Sequence, residues 1–400
     1  MIVLITITVS IFWLRILKKL ESHGKLNDNR SVLGCMFLCG LLSIPVVHLL
    51  HEFSAFSYAH IINLSLFTYS VLFVGLFEET AKFLVFYVVA RSSSFIKEPK
   101  DGLLQAASVA LAFAVTENVK YAGFYGLENL LLRSVTGTMG HMAFAVIWGY
   151  AGGLYLCSRR TGKNEYSFSM VSGAVASAAV FHGFFNYFIY LDLSLISYLI
   201  LVLSVGITVF ILRYLRKRSP YRPLSFTESK AALDDIGDAL CLNPGSFLLN
   251  KRAGFHSIKA GSYTEALGYL KKASSVNHKE LSTRVYVILL EYHLNLLEEY
   301  FAFRELDKVC SKVSVYNLIR LKEQAAELFE GCDGRENLTA MLDDMIDSIR
   351  FAQRVKNRIA EFDRAAGDLG SSSNRGFLIA GKDNLPMAYR HPGYYPADEE

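Results

Sequence analysis

The chain has 400 residues, of which 52% are hydrophobic and only 20% charged, with a net charge of +4 and a positive mean hydropathy. A soluble chain of this length is more polar, so composition places it in the membrane class. The mild basic excess is gathered in short runs, which gives no case for a nucleic-acid partner.

Residues 1–13 are apolar and are followed, not preceded, by Arg15, Lys18 and Lys19. A cleaved signal peptide has the reverse order, so this stretch reads as an uncleaved first helix with its N-terminus outside. Residues 33–50 make a second helix, kinked at Pro45, ending in a loop whose His51, Glu52 and His60 read as solvated. Residues 66–90 make a third, long enough to span a bilayer, yet Glu78, Glu79 and Lys82 stand near its middle. Each such group at that depth disfavours insertion by roughly 2.5–3.5 kcal/mol. Glu78 and Lys82 are one turn apart, with Glu79 beside them. One carboxylate can pair with the ammonium, and the other needs a polar partner from elsewhere in the chain.

A loop with Arg91, Lys97, Lys100 and Asp101 leads to a fourth helix, 103–125, interrupted by Glu117, Asn118 and Tyr121. Glu117 and Tyr121 share a face. A short loop with Glu128 and Arg133 precedes the fifth helix, 135–157, which carries His141, Trp148 and several glycines that permit close helix approach. The sixth helix, 168–191, has His182 and Asn186 one turn apart, and the seventh, 193–212, ends in Arg213, Arg216, Lys217 and Arg218. Loops after helices one, three, five and seven are rich in Lys and Arg, and the others are poor. The positive-inside rule then gives seven spans with the C-terminus in the cytosol. On a rise of about 1.5 Å per residue, Glu78, Glu117, His141 and His182 all fall between mid-bilayer and the outer interface.

The predicted architecture is therefore all-α: a polytopic transmembrane helix bundle of about seven spans in residues 1–215, a linker in 216–245, a soluble helical domain in 246–366 and a disordered tail in 367–400. Residues 246–278 read like one tetratricopeptide-type hairpin, with Gly254, Gly261, Tyr263, Ala266, Leu270 and Ala273 at nesting positions. Further amphipathic helices follow to 366, offering a docking surface for a cytosolic partner. The tail lacks periodicity. Six cysteines, with no disulfide spacing and no close metal-type pairing outside apolar helix, read as unpaired thiols in a reducing or lipid setting.

Chemically, a carboxylate and a neutral imidazole on one water make a general base. A second imidazole with an amide one turn away offers donors to a developing oxyanion. The same atoms suit zinc, held by Glu78, His141 and His182. The bland alternative is a polar brace that only fixes helix packing, as in a non-enzymatic membrane receptor or immunity protein. A proton-relaying transporter is a third option, which the lack of internal repeats disfavours.

The series Glu78-Glu79-Thr80-Ala81-Lys82, Asp101-Gly102, Glu117-Asn118 with Tyr121, His141 followed by Gly149, and His182 with Asn186 resembles the motifs of the PrsW family of intramembrane proteases. That family lies in a superfamily with the CAAX prenyl endopeptidases and bacteriocin-immunity proteins, and the resemblance covers about residues 1–215. Lys82 stands where CAAX enzymes place an arginine one residue later, which points to the PrsW branch. The resemblance implies a multi-pass endopeptidase of the cytoplasmic (inner) membrane that cuts a membrane-anchored protein near its extracytoplasmic side, as in site-1 cleavage of anti-sigma factors. By the same resemblance Glu78 is the base, aided by His141, His182 and Asn186 are the oxyanion donors, and Glu79, Lys82, Glu117, Asn118 and Tyr121 shape the cavity. A metal-free, glutamic-type route is the expectation, with zinc as the alternative.

Overall fold

The computed structural model describes residues 1–21, 32–53, 65–221, 231–310, 313–332 and 335–368, with no strand among the described residues. Those up to Leu249 form one compact unit and those from Asn250 on a second. Among the described residues, four segments are long and apolar enough to cross a bilayer: Val32–Glu52, Pro99–Arg160, Phe168–Tyr190 and Ser194–Arg218. This is an all-α membrane protein.

Helix α1 (Ile2–Leu20) runs about two turns beyond the apolar stretch, because Lys18 and Lys19 fall in its last turn, where cations suit the helix dipole and long stems can reach the interface. The second expected helix is two: α2 (Val32–Gly40) and α3 (Ser43–Phe53), divided by a turn at Leu41 and Leu42 rather than bent at Pro45 itself. Proline has no N–H to give the Leu41 carbonyl, which takes the Ile44 N–H at 3.3 Å, and the Ser43 hydroxyl donates to the Gly40 carbonyl at 2.5 Å. His51 belongs to α3 and is packed, not solvated: its ring lies edge-on to Phe77 at 5.2 Å and stacked on Phe73 at 6.3 Å. His60 lies outside the described residues.

The third expected helix starts at Leu66, where Ser65 accepts the Thr68 N–H, widens into π-helix over Tyr69–Leu76 and continues as α4 (Phe77–Ser92). The wide turns end just before Glu78. They lie against α6 (Phe168–Tyr190) so closely that a Cβ on Gly183 would come within 2.6 Å of the Val71 Cα.

The fourth and fifth expected helices are one element, α5 (Pro99–Arg160), broken only at Gly126 (φ 84°, ψ −173°). The expected loop with Glu128 and Arg133 is absent, and both residues sit on the second arm. Sixty-two residues of straight helix would reach about 93 Å, three times a bilayer core, so the arms must fold back. Glycine supplies the positive φ that permits a one-residue reversal. Asp101 accepts the backbone N–H of Lys97 and Glu98 at 2.9 and 3.1 Å, closing a capping box at the start of α5. At Gly102 a Cβ would stand 2.5 Å from the Gly149 carbonyl oxygen. The Asp101-Gly102 pair thus has a structural reason: a cap, then a contact between the arms.

Helix α7 (Ser194–Arg218) completes the membrane part. Its core gathers Phe83, Phe86, Ala106, Ala110, Phe144, Ala145 and Trp148 beneath the polar groups. Residues 231–242, inside the expected linker, form helix α8 (Ala231–Leu242), and Asp238 pairs with Lys163 at 2.5 Å.

Helix α9 (Phe247–Lys259) leads into the second unit, with α10 (Tyr263–Val276), α11 (Leu281–His293), α12 (Glu299–Cys310), α13 (Val315–Leu328) and α14 (Arg335–Asp368). Leu270, Leu289, Leu306, Leu321 and Met345 are buried there, and Gly254 lies against Leu270. Glu280 caps α11, accepting the Thr283 N–H at 2.7 Å. Burial alone would raise its carboxyl pKa. The Lys251 ammonium at 2.6 Å outweighs that, together with hydrogen bonds from Ser282 and Thr283, and the net shift is downward. None of the six cysteines is in a disulfide, and burial pushes the Cys310 thiol up to about 12. The expected tail, from residue 369 on, lies outside the described residues.

Candidate active site

Three helices bring the charged and imidazole groups together. Glu78, Glu79 and Lys82 come from the first turns of α4, His141 from the second arm of α5 and His182 from α6, and all five are buried. Glu79 is fully enclosed and its carboxylate accepts from Lys82 Nζ at 2.8 Å, Trp148 Nε1 at 2.9 Å and His182 Nδ1 at 2.9 Å. A carboxylate is an acceptor on both oxygens, so His182 carries a proton on Nδ1, and its Nε2 faces Glu78, 3.8 Å away.

The second imidazole follows the same logic. Lys82 Nζ lies 3.0 Å from His141 Nδ1, and an ammonium can only donate. His141 therefore holds its proton on Nε2, which donates to Glu117 at 2.9 Å. The two rings meet edge to face at 4.9 Å, with Phe144 stacked on His182 and Phe113 tilted against His141. Glu78 is the least tethered carboxylate, its nearest partners being Lys82 at 3.5 Å and His182 at 3.8 Å. One ligand atom from each of Glu78, His141 and His182 lies within 4.8 Å of the other two.

Of the sequence candidates, Glu78, Glu79, Lys82, Glu117, His141 and His182 are joined by these contacts. Asn118 lies one step out, its amide on Thr138 Oγ1 at 3.1 Å and on the Arg133 carbonyl at 3.3 Å. Tyr121 is half-buried under the Arg133 guanidinium at 3.9 Å. Asn186 follows His182 by one turn, half-buried. Two further residues belong to the network. Trp148 lies two turns beyond His141, a spacing that does place both on one face. Arg133 reads as an isolated loop cation because the Gly126 reversal cannot be foreseen.

A family model described as PrsW family intramembrane metalloprotease matches residues 28–214. The chain is 30% identical to Protease PrsW of Oceanobacillus iheyensis over 154 residues, 38% of this chain and 67% of that protein. The chain belongs to the PrsW family. Protease PrsW of Shouchella clausii is 30% identical over 113 residues, 28% of this chain and 51% of that protein. The Clostridioides difficile protein of the same name is 26% identical over 219 residues, 52% of this chain and 87% of that protein. The chain thus spans about half the length of the Shouchella relative. No solved structure matches the chain.

The PrsW description names a metal, and the donor set here fits one. Two imidazole nitrogens and a carboxylate oxygen suit zinc. Each imidazole is anchored through its other nitrogen by a carboxylate, Glu79 for His182 and Glu117 for His141. That outer arrangement fixes tautomer and ring orientation in metal sites.

Proposed function

We propose that this chain is an intramembrane endopeptidase that hydrolyses a membrane-anchored protein near the extracytoplasmic side of the cell membrane. The observation that carries the reading is the convergence of the loosely held Glu78 carboxylate with the His141 and His182 imidazoles, one ligand atom of each within 4.8 Å of the others, at a buried point reached by three helices. A brace would commit Glu78 as Glu79 is committed, whereas Glu78 is held only at 3.5 and 3.8 Å. Glu78, His141 and His182 would hold a zinc ion, which when bound supplies Lewis acidity and a water of near-neutral pKa.

One Glu78 oxygen suffices as a ligand, so the other remains to take a proton from the attacking water and pass it to the leaving amine. In this route His182 is a ligand, so the donors to a developing oxyanion would be the Asn186 amide and the Lys82 ammonium. Glu79 holds Lys82 and His182 in place, Glu117 holds His141, and Asn118 and Tyr121 hold the wall beside Glu117.

A metal-free, glutamic-type route is the second reading. It is favoured by the Lys82 ammonium, which stands 3.0 Å from His141 and 3.5 Å from Glu78, where it meets the need for a cation. In that route Glu78 and the His141 imidazole together take the proton. Elemental analysis of the purified protein, with activity before and after chelator and zinc return, separates the two. Stoichiometric zinc with chelator-sensitive cleavage supports the first, and full activity without metal supports the second.

Basic residues close α1, α4, the second arm of α5 and α7. They support seven spans with the N-terminus outside and the unit from Asn250 on in the cytosol, where it would dock a regulatory partner. Site-1-type cleavage is tested by co-expressing single-pass substrates with the wild type and with Glu78→Gln. Loss of the shortened fragment only in the variant is the expected result.

A further inference from the structure

We propose that the second half of α14 pairs with the same segment of a second copy of this chain as a short parallel coiled coil. This pairing is independent of the proteolytic reading and follows from how the apolar face of the helix changes along its length. In the first half, Leu338, Met341, Met345 and Ser348 recur at alternating steps of three and four residues, and all are buried where α14 packs on α12 and α13. Leu342, Ile346 and Ile349 are buried beside them, so the apolar face is broad there, as a helix against a globular core requires. The same steps run on unbroken through Ala352, Val355, Ile359, Phe362 and Ala366. In this stretch Lys356 and Asp363 take the register positions that Leu342 and Ile349 hold in the first half, and Arg358 borders the other edge. What is left is a narrow stripe at heptad spacing, the seam of a helix pair rather than the face of a core. Ala352 is exposed and Val355 and Ile359 are only half-buried, so the stripe outruns the packing of its own unit.

Charge selects the occupant. In a parallel, in-register pair Arg358 of one copy stands opposite Asp363 of the other, and two-fold symmetry repeats the contact. Lys356 reaches Phe351 of the other copy in the same way, and Phe351 is 46% exposed, which leaves its ring open to an ammonium. A β-branched residue such as Ile359 at the first seam position of its heptad favours two strands. An anionic lipid surface fits less well, because the Asp363 carboxylate borders the apolar stripe where such a surface calls for cations. Two copies anchored in one bilayer share their orientation, which suits a parallel pair, and their confinement raises the effective concentration enough for a short seam to matter.

The test is oxidative disulfide cross-linking of the full-length chain in the membranes in which it is expressed, with the wild type and its own six cysteines as background. Val355→Cys, on the seam, should give a linked dimer well above that background, and Asn357→Cys, on the opposite face, should not. Added to Val355→Cys, Arg358→Glu should lower the linked fraction about tenfold, because two attractive pairs become two repulsive ones. Adding Asp363→Arg as well should restore it, since the pairs then re-form with their charges exchanged. Equal yields at 355 and 357, or a dimer at 355 indifferent to Arg358→Glu, overturn the proposal. So does a Val355→Cys chain that stays unlinked: shielding of its thiol from a water-soluble maleimide would then assign the stripe to lipid or to residues 369–400, and free labelling would leave it bare.

Discussion

Replacing Glu78 with Gln keeps the volume of the side chain and removes its ability to accept a proton. Because Glu78 is held only at 3.5 and 3.8 Å, the change should leave abundance and thermal stability near those of the wild type. Cleavage should fall by at least the roughly 10²–10⁴-fold typical of a lost general base, read as the ratio of fragment to intact substrate. Glu79→Ala should behave in the opposite way. It leaves the fully buried Lys82 without its 2.8 Å partner and Trp148 and His182 without an acceptor. Breaking a buried ion pair by removing one member costs about 3–5 kcal/mol, so this variant should lose abundance and melt earlier. The two neighbouring carboxylates thus separate a chemical role from a structural one, and equal effects on stability would merge them again.

Among the elements, the π-helical Tyr69–Leu76 sets where Glu78 and Glu79 begin, and it does so by lying directly on α6. Gly183→Val would drive a branched side chain into the Val71 backbone. Overpacking of this kind costs about 1–3 kcal/mol. Since Gly183 adjoins His182, activity should fall further than stability, which thermal melts and cleavage assays on one preparation would compare. In the second unit Glu280 joins cap and ion pair in one residue. Its folded pKa lies below the ordinary value, so its contribution is present above the unfolded carboxylate pKa and is lost as pH falls through the folded one. Glu280→Gln should therefore lower the stability of this unit by about 1 kcal/mol at neutral pH. The difference should shrink as pH falls below the ordinary carboxylate range, as followed by chemical denaturation of the full chain.

For the whole molecule, the proposed topology rests on the alternation of basic ends. Fluorescent-protein fusions at residue 245 should glow, and fusions inserted at residue 127 should not. Alkaline phosphatase fusions at the same points should give the reverse pattern. An inverted result would place the pocket toward the cytosolic side and change the class of substrate it meets.

The sequence by itself determined the all-α membrane class and most of the candidate site. Charged groups inside apolar stretches are costly enough to be conspicuous, and their depths follow from helix rise. It also named the trio Glu78, His141 and His182, because few residue types can do this chemistry. Only the tertiary structure decided the break at Leu41–Leu42, the π-helical turns and the reversal at Gly126, since each depends on what packs alongside rather than on local preference. Tertiary contacts alone also placed a proton on each histidine, because the nitrogen that carries it is set by the group across the gap. For His182 that group is Glu79, and for His141 it is Glu117 and Lys82.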